Sequence, residues 1–242
     1  MKKLTLAASV LALGANIALA DVVRMGSEGQ YPPYNFINDD NELDGYDRDL
    51  GDELCRRANL ECEWVINDWD TIIPNLVAGN YDTIMAGMSI TESRQEVISF
   101  TQDYLPPDPS AYVGLAGADP DWRENGVVVT QSNTVQAGYV ADTNAALIEY
   151  PTPDETIAAL RNQEADLVLA DKAFLETYVA ESGGELVFVG EDVQIGDGMG
   201  MGIRQSDDEL RDTFNAAISE MKEDGSLNEL IREWFGDELA IY

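Results

Sequence analysis

The chain carries one short pattern twice. Moved on by 84 residues without a gap, Ile73, Leu76, Asp82 and Ala86 fall on Ile157, Leu160, Asp166 and Ala170. In both copies apolar residues at helical spacing lead into a turn and then a short buried strand. Gly79-Asn80 stops the first helix, and Thr152-Pro153-Asp154-Glu155 opens the second as a capping box with proline at its first position. Between the copies, Leu105-Pro106-Pro107-Asp108-Pro109 breaks any regular element and reads as a crossing. Two βαβ-like units joined in this way predict two α/β lobes. Ligands of such sheets sit beyond the carboxyl ends of the strands. The equivalent ends here are Gly87 and Ser89 in one lobe and Asp171 and Ala173 in the other, facing each other across a cleft.

The remaining segments are read in the same way. Val22–Gly26 is a short strand, and Tyr31–Phe36, with its two prolines, is a rigid extended stretch. Leu50, Leu54 and Ala58 mark a helix from Asp47 to about Asn59, and Asp70 reads as the N-cap of the helix bearing Ile72, Ile73 and Leu76. Thr91 or Ser93 begins another helix that includes Val97 and Ile98. Gly196–Gly202 is too rich in glycine for an ordinary core strand. Ser206–Glu209 reads as a second capping box, opening a helix with Leu210, Phe214, Ala217, Ile218 and Met221 that stops at Gly225. Ser226–Glu229 caps a last helix.

Composition narrows the function classes. Lys2 and Lys3 precede an apolar run ending at Ala18-Leu19-Ala20, which reads as a signal peptide over 1–20 cleaved after Ala20. Export suits the two cysteines: Cys55 and Cys62, seven residues apart, are expected to pair in an oxidising compartment. There is no histidine, which excludes Ser-His-Asp and Cys-His catalysis and most zinc chemistry. A net charge of −32, spread over amphipathic segments, repels nucleic acid and anionic lipid.

Several polar residues stand at the predicted strand ends. Arg94 falls in a first helical turn, where the dipole disfavours a cation. Its guanidinium can grip a carboxylate with two parallel hydrogen bonds, Ser89 and the N–H groups near Thr91 completing the cradle. The plainer alternative is a surface arginine paired with Glu92 or Glu96. Asp171 either caps the helix after it or receives an ammonium group in the cleft. Thr134, in Gln131-Ser132-Asn133-Thr134, is either a turn residue or a donor from the second lobe. Tyr31 and Trp69 are core aromatics or cleft walls. Glu28, at the end of the first strand, would select a ligand with a cationic or hydrogen-donating side chain.

At these residues the chain resembles the extracytoplasmic solute-binding proteins of polar amino-acid ABC transporters, the lysine/arginine/ornithine, histidine and octopine/nopaline binders. The resemblance is carried by Ser-Glu-Gly-Gln-Tyr-Pro-Pro-Tyr-Asn-Phe (27–36), Leu-Asp-Gly-Tyr-Asp-Arg-Asp-Leu (43–50) and the cysteine pair. Asp68–Pro74, Ala-Gly-Met-Ser-Ile-Thr-Glu-Ser-Arg (86–94) and Gly-Met-Gly-Ile-Arg (200–204) extend it. It implies a type II periplasmic binding protein fold, with 21–108 plus 195–242 as one lobe, 109–194 as the other, and a two-strand hinge between them. It further implies Arg94 and Ser89 on a ligand carboxylate with help from Thr134, Asp171 on the α-ammonium, and Tyr31 and Trp69 against the side chain. Gly87 lines the site, Glu28 meets a basic side-chain end, and Cys55–Cys62 closes a small disulfide loop. The implied partners are an amino acid and a membrane permease; the protein is expected to be a periplasmic monomer with no cofactor, metal or catalytic residue. Departures are Ala86 and Gly87 where several basic amino-acid binders have serines, and Gln-Ser-Asn-Thr in place of Gln-Gly-Thr-Thr. Alternatives are a cyclohexadienyl-dehydratase-like lyase on the same fold, with Glu28 as proton donor, or a binder of a neutral zwitterion such as glutamine or ectoine.

Overall fold

A computed structural model describes residues 22–242 apart from Glu238 and Ala240, so the signal peptide expected over 1–20 lies outside the described residues. In chain order the first elements are β1 (Val23–Ser27), β2 (Gln30–Tyr31), β3 (Asn35–Ile37), β4 (Leu43–Asp44), α1 (Tyr46–Ala58) and β5 (Cys62–Ile66). They are followed by α2 (Trp69–Val77), β6 (Thr83–Ile84), α3 (Glu92–Gln95) and β7 (Ser99–Leu105). Then come β8 (Ser110–Leu115), α4 (Trp122–Asn125), β9 (Val127–Gln131), α5 (Val135–Ala141), β10 (Ala146–Tyr150) and α6 (Pro153–Arg161). The chain continues through β11 (Leu167–Asp171), α7 (Lys172–Glu181), β12 (Leu186–Phe188), β13 (Met199–Ile203), α8 (Asp208–Asp224) and α9 (Ser226–Phe235).

Two five-stranded mixed sheets result, β5-β1-β6-β13-β7 and β10-β9-β11-β8-β12. In each, three parallel strands are followed by an antiparallel one that reaches its sheet from the other side of a crossing: β13 in the first sheet, β8 in the second. The crossings pair with each other where Ser110 and Val193 exchange backbone hydrogen bonds of 2.8 and 2.7 Å.

The internal repeat extends to single residues. Helix α2 (69–77) and helix α6 (153–161) stand in the same 84-residue register, and so do the starts of β6 and β11. The repeated aspartates do the same work in both lobes. Asp82 accepts from Arg24 N at 3.0 Å while its own N–H bonds Arg24 O; Asp166 does so with Val127 N at 2.7 Å and Val127 O. Each aspartate thus ties the start of its third strand to the start of its first. Thr152 and Glu155 form the expected reciprocal capping box. Cys55 and Cys62 form a disulfide that joins the last turn of α1 to the start of β5.

Other segments differ from expectation. Tyr31–Phe36 is a turn between the antiparallel strands β2 and β3, with a cis Pro32–Pro33 bond, and not one extended stretch. The helix begun by Thr91 ends at Gln95, so Val97 and Ile98 lie outside it in the link to β7. The glycine-rich segment yields β13, which is buried at every position. Its glycines are what allow this: a Cβ on Gly200 would lie 2.9 Å from Ile90 Cδ1, and one on Gly202 3.1 Å from Ile98 Cδ1. Neighbouring isoleucines fill the space that the strand leaves open. No capping box forms at Ser206, whose hydroxyl donates to Asp207; Asp207 pairs with Arg204 and is itself the N-cap of α8. Gly225 at φ +82° ends α8 and also precedes α9, so Ser226 is the first residue of α9 and not its cap.

Candidate functional site

The carboxyl ends of β1, β6, β9 and β11 deliver their residues to one cavity. Glu28, Tyr31, Trp69, Gly87, Ser89, Arg94, Thr134 and Asp171 all line it. Each is placed by a local device. Gly87 adopts φ +57°, a conformation that side chains resist, and its N–H donates to the buried carboxylate of Asp47 at 2.8 Å. Ser89 forms an antiparallel bridge with Met199, and Ile90 N donates to Gly198 O, so this loop is stitched to the start of β13. The Thr91 hydroxyl caps α3 by accepting from Arg94 N.

The Arg94 guanidinium makes no ion pair with Glu92 or Glu96 among the described residues. It donates to Ser89 O at 2.7 Å and to Asn133 O at 3.0 Å, and its carbon lies 5.3 Å from the centre of the Trp69 ring. Burial pushes its pKa down to about 10, opposed by the charge of Asp171, so it stays cationic at neutral pH. Asp171 occupies the N-cap position of α7 without a side-chain capping bond. Its carboxylate accepts instead from Tyr31 Oη at 2.8 Å and from Gln136 Nε2 at 3.0 Å. Burial raises it to about 7, reinforced by Asp108 and opposed by those two donors and by Arg94. Glu28, 2% exposed, is also raised to about 7 by burial, against the bond it accepts from Gln131 Nε2 at 2.7 Å and with the charges of Asp68 and Asp70 adding to the rise.

Two expected residues have part of their chemistry already committed. The Thr134 hydroxyl donates to Gln131 O and accepts from Ala137 N, making it the N-cap of α5. One face of the Tyr31 ring stacks on Phe174, centroids 4.4 Å apart and planes 9° apart. Asp70 is not the N-cap of α2; that position belongs to Asp68. The Asp70 carboxylate reaches across to the second lobe and accepts from Ser132 Oγ at 2.6 Å and Asn133 Nδ2 at 2.9 Å.

Gln131, Gln136 and Phe174, which also line the cavity, are not marked by the sequence. The glutamines contact Glu28 and Asp171 through pairings more than thirty residues apart in the chain, and no local pattern announces them. Taken together, one guanidinium and two carboxylates lining one pocket, with flat aromatic walls, can hold a small molecule that carries one negative and two positive groups.

The pattern matches a known family. The family model of the bacterial extracellular solute-binding proteins, family 3, covers residues 23–237. The chain belongs to that family. This family 3 protein is 31% identical to the lysine/arginine/ornithine-binding periplasmic protein of Escherichia coli, with 97% of each chain covered. It is 32% identical to the L-arginine-binding protein of Pseudomonas aeruginosa over the same shares. Among solved structures it is similar to a periplasmic His/Glu/Gln/Arg/opine family-binding protein from Silicibacter pomeroyi in complex with lysine. The identity is 63%, the TM-score 0.88, and 91% of this chain and 100% of that one are covered. Two of these relatives are named as periplasmic binding proteins, and the two-sheet architecture is that of the type II periplasmic binding fold.

Proposed function

We propose that the protein captures a cationic amino acid in the periplasm and hands it to the permease of an ABC transporter. The observation that carries this reading is the charge set of the cavity: one guanidinium, Arg94, and two carboxylates, Asp171 and Glu28, the inverse of a dibasic amino acid. Arg94 and Ser89, with the Thr134 backbone, hold the α-carboxylate. Asp171 holds the α-ammonium. The side chain runs between Tyr31 and Trp69, past Gly87, toward Glu28. Residues 21–108 with 195–242 form one lobe and 109–194 the other, and their hinged closure buries the ligand. The mature protein starts after Ala20, acts as a monomer, and catalyses nothing. The relatives named above bind lysine, arginine or ornithine, which favours binding over a lyase with Glu28 as proton donor.

A thermal-shift panel tests this. Lysine, ornithine or arginine at about a hundred times Kd is expected to raise the melting temperature by roughly 5–10 °C. Glutamine and ectoine, which bring no second cationic group to Glu28, are expected to raise it far less. A response to the neutral compounds alone, or turnover of prephenate or arogenate, overturns the reading.

A further inference from the structure

Gln131 is the last residue of β9 and is 8% exposed. Its amide nitrogen lies 2.7 Å from Glu28 Oε1 and 3.1 Å from the backbone carbonyl of Pro151, just beyond β10. Both neighbours are acceptors, so chemistry fixes which end of the amide faces them. Its two N–H groups are thereby spent, one anchoring the side chain to its own lobe and the other reaching across the cleft to the acid of the first strand. What Gln131 retains is a carbonyl oxygen, an acceptor.

This arrangement constrains what Glu28 can grip. A guanidinium binds a carboxylate best as a flat fork, one N–H to each oxygen. With Gln131 already on one oxygen, a fork must share that oxygen with the amide, crowding two donors onto it or weakening one of the bonds. A primary ammonium needs one oxygen and has further N–H groups to spend on other acceptors. We propose that Gln131 is a specificity-determining residue: by occupying one oxygen of Glu28 it makes the cavity prefer a primary-ammonium side chain, as in lysine or ornithine, over a guanidinium. The inference rests on the function proposed above and deepens it from a class of ligands to a choice within the class.

Calorimetric titration of the full mature protein with lysine, ornithine and arginine tests it. The wild type is expected to bind lysine and ornithine more tightly than arginine. In Gln131→Met, which keeps the length and removes the N–H donors, the ratio of the lysine Kd to the arginine Kd is expected to move toward arginine by about tenfold. Gln131→Asn, whose amide falls a methylene short of Glu28, is expected to move it the same way and serves if the methionine variant fails to fold. An unchanged ratio, a parallel loss for all three amino acids, or a wild type that already prefers arginine overturns this inference and leaves the proposed function standing. A wild type that binds none of the three overturns both.

Discussion

Asp70 on α2 holds Asn133, in the turn beyond β9, through a hydrogen bond of 2.9 Å, and the same carboxylate oxygen takes the Ser132 hydroxyl at 2.6 Å. Arg94 grips the Asn133 carbonyl from the same side of the cleft. One short turn of the second lobe is therefore clasped by two residues of the first. Asp70 lies outside the main cavity, so its effect on binding is expected to run through these bonds across the cleft. Asp70→Ala is expected to raise the ligand dissociation rate about fivefold, from ~1 kcal/mol for exposed charge-assisted bonds. Association should change little. Stopped-flow measurement separates the two rates, and equal changes in both would count against a clasp.

Arg94 bears on binding directly. Its contacts are with Ser89, Asn133 and Trp69, all at the cleft, so the lobes should fold without it. Arg94→Ala leaves a buried carboxylate unpaired, at a cost of about 3–5 kcal/mol, and calorimetry should find amino-acid affinity reduced by at least a hundredfold. Circular dichroism should be unchanged. Wild-type affinity in this variant would remove the carboxylate site.

The cavity acids give a pH dependence of definite sign. Burial raises Glu28 and Asp171 to about 7, and Asp47 and Asp108 to about 6. Across the window from their ordinary carboxylate values up to these, the folded protein holds more protons than the unfolded chain, so stability falls as pH rises. A cationic ligand needs the ionised forms, so its affinity moves the other way. The ligand-free protein is expected to melt higher at pH 5 than at pH 8, while lysine binds at least tenfold more tightly at pH 8 than at pH 5. Thermal unfolding and titration across that range check both, and an affinity that does not vary would refute the link to Glu28 and Asp171.

Asp47 ties the cavity wall to the core. Fully buried at the start of α1, it accepts from Asn35 Nδ2 at 2.9 Å, Gly87 N at 2.8 Å and Tyr104 Oη at 2.9 Å. Asp47→Ala strands three donors and is expected to cost about 3 kcal/mol or more, lowering the melting temperature by roughly 5–10 °C. Affinity should drop with it, because Gly87 loses its tether. Denaturant titration gives the first number and calorimetry the second.

What the chain discloses without coordinates follows the range of the interaction. The repeat is legible because helix spacing, the Thr152–Glu155 box and the Asp82/Asp166 pair are local or periodic signals. The cavity residues at strand ends are legible because topology places them there. Asp70 was open to misreading because an acid beside a helix start looks like a cap, and only the opposite lobe shows that it is a clasp. Gln131 was silent because its partner, Glu28, lies across the cleft. The glycines of β13 point away from a core strand until Ile90, Ile98 and Phe100 are seen packed over them. Contacts made across the cleft leave no trace in spacing.

The position of β13 also governs the order of assembly. It lies between β6 and β7 and is the neighbour through which β7 joins its sheet, yet it is made after every strand of the second sheet. A chain lengthening from its N-terminus therefore carries two open edges that cannot satisfy each other until residues 199–203 arrive. The first half cannot finish folding before the second. A substitution that slows the second lobe thus prolongs the exposure of the first lobe's edges to other chains, and its penalty falls on yield more than on the stability of the finished protein.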